Sequence, residues 1–227
     1  MTRGLIIFAR EPLVGTVKTR LAQDLGSHRS ATDLYAAMLA DVLAAAVTLD
    51  DTRLLIFWAS KNGSVPSVPA LPQAAMFEQQ GGDLGERMAN AFETALASGC
   101  ETCCIIGSDA PDLPPEYILR AFDLLELGEA EAVFGPAEDG GYYLLGLRRL
   151  QKRLFEEIAW SSSEVLHTSL ERAQLCGLGT ALLPPWRDID TGEDLEAFLE
   201  RPTRDTAPRT LAVARRLKGS ATLCPTI

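Results

Sequence analysis

The chain has 227 residues, 47% of them hydrophobic and 23% charged, with a formal net charge of −10 at pH 7. That length and balance suit a single α/β domain over residues 1–227 with a sizeable core, whereas the acidic excess excludes general nucleic-acid binding, which needs a basic field to replace phosphate counterions. No apolar run approaches the roughly 20 residues that span a bilayer, and the N-terminus enters a strand-like pattern without a signal-peptide cleavage region, so a cytoplasmic protein with no membrane span is expected.

Leu5 to Ala9 reads as a buried strand, and Ser30 to Leu49 carries Leu34, Met38 and Val42 at helical spacing. Thr52 to Ala59 is the next strand, followed by a Pro-rich loop from Asn62 to Pro72. A short strand near Ala75 to Glu78 leads through GGDLGERM into a helix reaching about Ala97, and Thr102 to Ser108 is another buried strand. Pro114 and Pro115 suit the first turn of a helix that Gly128 can end near Leu127. Glu131 to Gly135 and Tyr142 to Leu147 make two strands around the turn PAEDGG. Ser162 to Cys176 is helical, Thr180 to Leu183 strand-like, Glu193 to Leu199 helical with a cap at Thr191 or Gly192, and a last helix spans Ala207 to Leu217. This alternation predicts a mainly parallel sheet with helices on both faces, and the close pair of strands before Leu147 admits an antiparallel element.

Five cysteines is an odd count, which argues against a disulfide framework. Cys103 and Cys104 lie in an apolar run and read as core residues. The pair Cys100 and Cys103 lacks the further ligands a zinc site needs, and neither His28 nor His167 has a partner at metal-ligand spacing. Trp160 and Trp186 could line a pocket, but large aromatics are more often core.

In open α/β sheets ligands gather beyond the carboxyl ends of the strands, which singles out the polar residues after each apolar run. After the first strand these are Gly15, Thr16, Lys18 and Arg20, a cationic turn suited to phosphate because Arg grips two oxygens and Lys adds a mobile charge. The third strand leads to Asp83 and Arg87, the fourth to Ser108, Asp109 and Asp112, and the fifth to Glu138 and Asp139. Asp188 and Asp190 share a face if that stretch is extended. A nucleotide polyphosphate repels attackers until Mg²⁺ or Mn²⁺ and basic side chains neutralise it, and such ions choose carboxylate oxygens. Asp109, rigidly held at a strand end, is the leading metal ligand; a helix cap before Pro111 is its alternative role. The P-loop pattern faintly echoed by Gly15, Lys18 and Thr19 lacks the glycines that cradle phosphate.

The segments PLVGTVKTRLA, GGDLGERM, IIGSDAPDLP, FGPAEDGGYYLLGL, WSSSEVL and DIDTGEDL, in this order, resemble a bacterial family of GT-A-like transferases related to 2-phospholactate guanylyltransferase. Beyond Glu200 the resemblance adds little. It implies a three-layer α/β/α Rossmann-like nucleotide-diphospho-sugar transferase (GT-A) fold. The basic loop after the first strand maps to Gly15, Thr16, Lys18 and Arg20, with Asp83 and Arg87 also on the nucleotide side. The metal-binding Asp maps to Asp109, with Asp190 of the DIDT segment a second ligand, and Asp139 falls on the acceptor side as a base or acceptor contact.

The expected activity is a metal-dependent transfer from a nucleotide donor to a small-molecule acceptor. An NTP donor releasing pyrophosphate is favoured over an NDP-sugar, since Lys18 and Arg20 can stabilise a leaving pyrophosphate. A nucleotide-binding or sensing module without turnover is the alternative. Either way the site is expected to be split, with basic residues for phosphates on one side and acidic residues for the metal on the other.

Overall fold

Seven apolar runs form a single sheet in the computed structural model, which describes residues 1–60, Leu71 and 74–221. The strands are β1 (Arg3–Arg10), β2 (Thr52–Ala59), β3 (Ala74–Glu78), β4 (Thr102–Ile106), β5 (Ala132–Pro136), β6 (Tyr142–Leu147) and β7 (Thr180–Leu182), in the order β3-β2-β1-β4-β6-β5-β7. All neighbours are parallel except β6, which runs antiparallel to both β4 and β5. The PAEDGG turn is too short for a crossover and reverses the chain, so β6 is the antiparallel element that the close pair of strands admitted.

The chain divides into two compact units. The first takes Met1–Arg10, Ala46–Gly107 and Pro115–Arg187 and holds the whole sheet; the second takes Glu11–Ala45, Ser108–Pro114 and the chain from Asp188 onward.

In the sheet unit, alternate residues point to opposite faces. Ile6, Leu55, Phe57, Cys103, Ile105, Phe134 and Leu145 pack on one face with Met88, Phe92 and Ala95 of α3 (Leu84–Ala97) and Ala173 of α5 (Val165–Leu175). On the other, Leu125 of α4 (Pro115–Glu126) and the Cys104 sulfur each come within 3.1 Å of where a Cβ on Gly146 would lie. Helices therefore cover both faces of a mainly parallel sheet, the expected three-layer fold. Cys100 and Cys103 are buried free thiols packed over Gly4, and burial pushes the Cys103 thiol up, so this pair serves the core.

The second unit is helical. Leu21 of α1 (Thr19–Asp24), Leu34 and Met38 of α2 (His28–Ala46), Leu195 and Phe198 of α6 (Gly192–Glu200) and Leu211 of α7 (Pro208–Ala221) share one core with Ile189. Buried Asp41 of α2 ties down the start of α7, accepting from Thr210 N at 2.7 Å, Thr210 Oγ1 at 2.8 Å and Arg209 Nη1 at 3.1 Å.

β2 and β6 begin and end where the pattern predicts. β4 stops two residues short of Ser108, and α2 stops three short of Leu49. α5 starts at Val165 rather than Ser162, because Ser162 Oγ accepts from Glu164 N at 3.3 Å and so holds a turn in place of a first helical residue. Two 3₁₀ turns, Lys152–Phe155 and Pro202–Thr206, were not expected. Apart from Leu71, the loop expected over 62–72 lies outside the described residues.

Candidate functional site

Four of the residues singled out by sequence meet within the helical unit. Lys18 stands at the start of α1 with φ 49° and ψ 48°, a left-handed conformation that costs an L-residue with a long side chain roughly 1–2 kcal/mol. Its side chain is only 5% exposed, and its Nζ lies 2.5 Å from Asp109 Oδ1 and 2.6 Å from Asp190 Oδ1. Arg20 reaches the other oxygen of Asp190, Nη2 to Oδ2 at 2.5 Å, from a largely exposed position. Burial works against the Lys18 charge, but the two carboxylates outweigh it and hold the ammonium above the ordinary lysine value. Burial also opposes charge on Asp190, and Lys18 with Arg20 outweigh that and hold its carboxyl below the ordinary range.

The expected split between a basic and an acidic side is therefore not what forms. Two cations and two carboxylates make one contact cluster with no net formal charge.

Local structure aims each member. Gly15, with φ 82°, turns the chain between Arg10 and α1, and Thr16 closes that turn by donating from N and Oγ1 to Leu13 O at 3.0 and 2.9 Å. Nothing lies within 4 Å of a Cβ placed on Gly15, so glycine is needed there for its backbone angle and not for close packing. The Asp109 carbonyl accepts from Ile189 N at 2.9 Å, pinning the 108–114 segment beside the one that carries Asp190. Next to Asp109, Ser108 Oγ and Tyr35 OH share a buried hydrogen bond of 2.9 Å.

Asp190 is held by the capping box that starts α6. Asp194 Oδ2 accepts from Asp190 N at 3.0 Å, Thr191 N at 2.8 Å and Thr191 Oγ1 at 2.7 Å, while Thr191 Oγ1 accepts from Asp194 N at 3.2 Å. Farther along the 108–114 segment, fully buried Asp112 accepts from Arg201 Nη1 at 3.0 and 3.2 Å and from Thr203 Oγ1 at 2.7 Å.

Asp83, Arg87 and Asp139 belong to the sheet unit, where each serves its own loop. Asp83 caps α3, accepting from Glu86 N at 2.8 Å, and Glu86 Oε2 accepts from Gly82 N at 2.7 Å. Two carboxylates thus occupy the helix end to which the dipole would draw a phosphate. Arg87 Nε donates to Gly81 O at 3.1 Å, and Asp139 Oδ1 accepts from Gly141 N at 2.9 Å inside the PAEDGG turn. Trp160 packs on the sheet core, and Trp186 meets Tyr117 edge-on at 5.6 Å.

Sequence reasoning missed Asp194 as the clamp on Asp190, although Thr-x-x-Asp is a variant of readable capping-box spacing. It also missed Arg201 and Thr203, which reach Asp112 across 89 and 91 residues and leave no local signal.

The resemblance implies a divalent metal, and the donor set suits one. Asp109 and Asp190 supply hard oxygens that already converge on one cation, the Lys18 ammonium. Among the described residues no group of three or more His, Cys, Asp or Glu side chains could hold an ion. A carboxylate pair with the remaining positions left to water and substrate phosphate is the usual Mg²⁺ arrangement, unlike an all-protein cage.

The fold recurs in solved structures. A candidate nucleotide-diphospho-sugar transferase from Desulfovibrio desulfuricans G20 is 31% identical, with 95% of this chain and 98% of that one covered at a TM-score of 0.77. A 4-diphosphocytidyl-2C-methyl-D-erythritol synthase from Anaerococcus prevotii superposes with a TM-score of 0.56 at 10% identity, covering 88% and 96% of the two chains. For Rv0371c from Mycobacterium tuberculosis H37Rv the values are 0.54, 14%, 88% and 98%. The last two likenesses establish the fold alone. No curated protein matches the chain in sequence. The model of a bacterial family described as "uncharacterized protein conserved in bacteria (DUF2064)" matches residues 42–162. With that match over half its length and a relative at 31% identity along nearly all of it, the chain belongs to this bacterial family of nucleotide-diphospho-sugar transferase-like fold.

Proposed function

We propose that this protein is a metal-dependent transferase that takes a nucleotide donor and passes a nucleotidyl group to a small-molecule acceptor. The observation that carries the reading is the cluster of Lys18, Arg20, Asp109 and Asp190, which combines phosphate-binding cations with hard-ion ligands in one place. In nucleotidyl transfer an acceptor oxygen bonds to the α-phosphorus while the bond from that phosphorus to the bridging oxygen breaks, and the electron pair leaves on pyrophosphate. Lys18 and Arg20 are the groups to stabilise that leaving charge. Asp109 and Asp190 would hold Mg²⁺ or Mn²⁺, which supplies charge neutralisation to the donor phosphates when bound. Glycosyl transfer from an NDP-sugar makes less use of a Lys and an Arg at one loop, which is why the NTP donor is preferred.

Calorimetric titration with a panel of NTPs and NDP-sugars, with and without Mg²⁺ or Mn²⁺, tests the reading, and product detection separates pyrophosphate from NDP. Lys18→Ala and Arg20→Ala each lose one charge-assisted contact, so each should weaken a triphosphate about 10- to 100-fold and the matching monophosphate far less. Asp109→Ala should abolish metal-dependent binding. Metal-independent binding, or none to any nucleotide, refutes the assignment. Tight binding without pyrophosphate or NDP release identifies a nucleotide-sensing module instead.

A further inference from the structure

We propose that Lys18 is a placeholder cation: its ammonium keeps Asp109 and Asp190 together until a divalent ion takes that position, and Lys18, once displaced, becomes the ligand of a donor phosphate. The inference rests on the metal and phosphate roles proposed above, and adds that the two are coupled through one side chain.

Position is the first argument. Both Oδ1 atoms lie within 2.6 Å of Nζ, the separation at which hydrogen-bonded ions touch, so a second cation cannot join the same two oxygens while Lys18 remains. Charge is the second. The cluster is neutral with Lys18 and Arg20 in place, and adding a divalent ion without moving either would leave an excess of two positive charges beside a buried ammonium. Lys18 must give way, and it is the member that blocks the shared position. Arg20 touches only Asp190 Oδ2, with its side chain 66% exposed, and can stay where it is.

Backbone supplies the third argument. Lys18 has φ 49° at the start of α1, where its carbonyl accepts from Ala22 N at 2.8 Å, so the helix it begins holds its backbone while only the two carboxylates hold its side chain. Once displaced, a four-carbon stem with a rotatable ammonium can reach a phosphate oxygen without moving α1. A metal ion alone must compete with Lys18, whereas a metal with a triphosphate offers the displaced ammonium a new partner. The two should therefore bind with positive cooperativity.

The test uses the full chain and Mn²⁺ alone, followed by the electron paramagnetic resonance signal of free Mn²⁺. Lys18→Met should bind Mn²⁺ at least about tenfold more tightly than wild type, the gain expected when one competing like charge leaves a partly exposed site. Lys152→Met, at an exposed lysine paired with Glu93 in the sheet unit, should change affinity by less than about threefold, because it does not contest the position. A variant that binds Mn²⁺ no more tightly than wild type, or not at all, overturns the proposal. A second measurement needs no variant. Acetylation followed by mass spectrometry should label Lys18 slowly in the free protein and several-fold faster with saturating Mn²⁺, while exposed Lys152 and Lys218 keep their rates. Unchanged Lys18 labelling with Mn²⁺ bound also overturns it. If wild type binds Mn²⁺ with nucleotide and turns it over while both Lys18 readouts stay flat, the placeholder fails and the transferase reading stands. If Asp109→Ala leaves all metal and nucleotide binding intact, the transferase site itself is wrong.

Discussion

Replacing Asp112 with Ala should cost far more than its distance from the charged cluster suggests. The Asp112 side chain is fully enclosed and takes three hydrogen bonds, two from the Arg201 guanidinium at 3.0 and 3.2 Å and one from Thr203 at 2.7 Å. Arg201 is itself 16% exposed, so removing the carboxylate strips a mostly buried cation of an ion-pair partner. Breaking a buried pair from one side costs about 3–5 kcal/mol, because the remaining charge keeps its desolvation cost and loses the carboxylate. For a chain of this length that corresponds to a fall in Tm of about 6–20 °C. Denaturant unfolding of Asp112→Ala, Arg201→Met and the double variant tests the mechanism through a thermodynamic cycle. The double variant should recover at least about 2 kcal/mol relative to the sum of the singles, since it removes the buried guanidinium as well as the carboxylate. Because Asp112 shares the 108–114 segment with Asp109, metal-dependent nucleotide binding should weaken in the single Asp112 variant even at temperatures where it stays folded. A loss below about 1 kcal/mol, or single losses that simply add, would refute the argument that this pair anchors the segment.

Two further outcomes are expected. Gly140→Ala places a Cβ 2.0 Å from the Ser163 carbonyl oxygen at φ 91°, and Gly140 O is also the acceptor that holds Leu166 N at 2.9 Å. Gly15→Ala at φ 82° meets nothing within 4 Å, so it should lose only about 1–2 kcal/mol of backbone strain while Gly140→Ala loses at least twice that; equal losses by chemical denaturation would mean the Ser163 contact relaxes freely. In acid, the hydrogen bond from Arg3 holds the Glu126 carboxyl below its ordinary value of 4.5. A depressed carboxyl stabilises the fold above that ordinary value, and the contribution disappears as pH falls through the lower folded value. Arg3→Met should therefore flatten the pH dependence of the denaturation midpoint below about pH 4.5, and parallel profiles for variant and wild type would show that this pair carries no such linkage.

Hydrophobic periodicity determined the sheet and most of its helices directly from sequence, because a strand or helix must show its own repeat in order to bury a face. β2 and β6 are read to the residue, and the close pair of strands before Leu147 admitted the antiparallel element that β6 supplies. Residue chemistry alone also marked Lys18, Arg20, Asp109 and Asp190 as the residues to watch. Their mutual contact was decided only in three dimensions. The ion pairs bridge 170 and 172 residues between Asp190 and the basic loop, and no local pattern records a bond of that span. The same holds for Asp112 with Arg201 and for Asp41 with Thr210, whose partners lie 89 and 169 residues away. Asp83 and Asp139 were marked in the same way, and only the structure shows the backbone N–H that each accepts from, Glu86 N and Gly141 N. Sequence fixes which groups are available; the tertiary fold decides whether the partner of each charge lies in its own turn or a hundred residues away, because burial forces every such charge to find one.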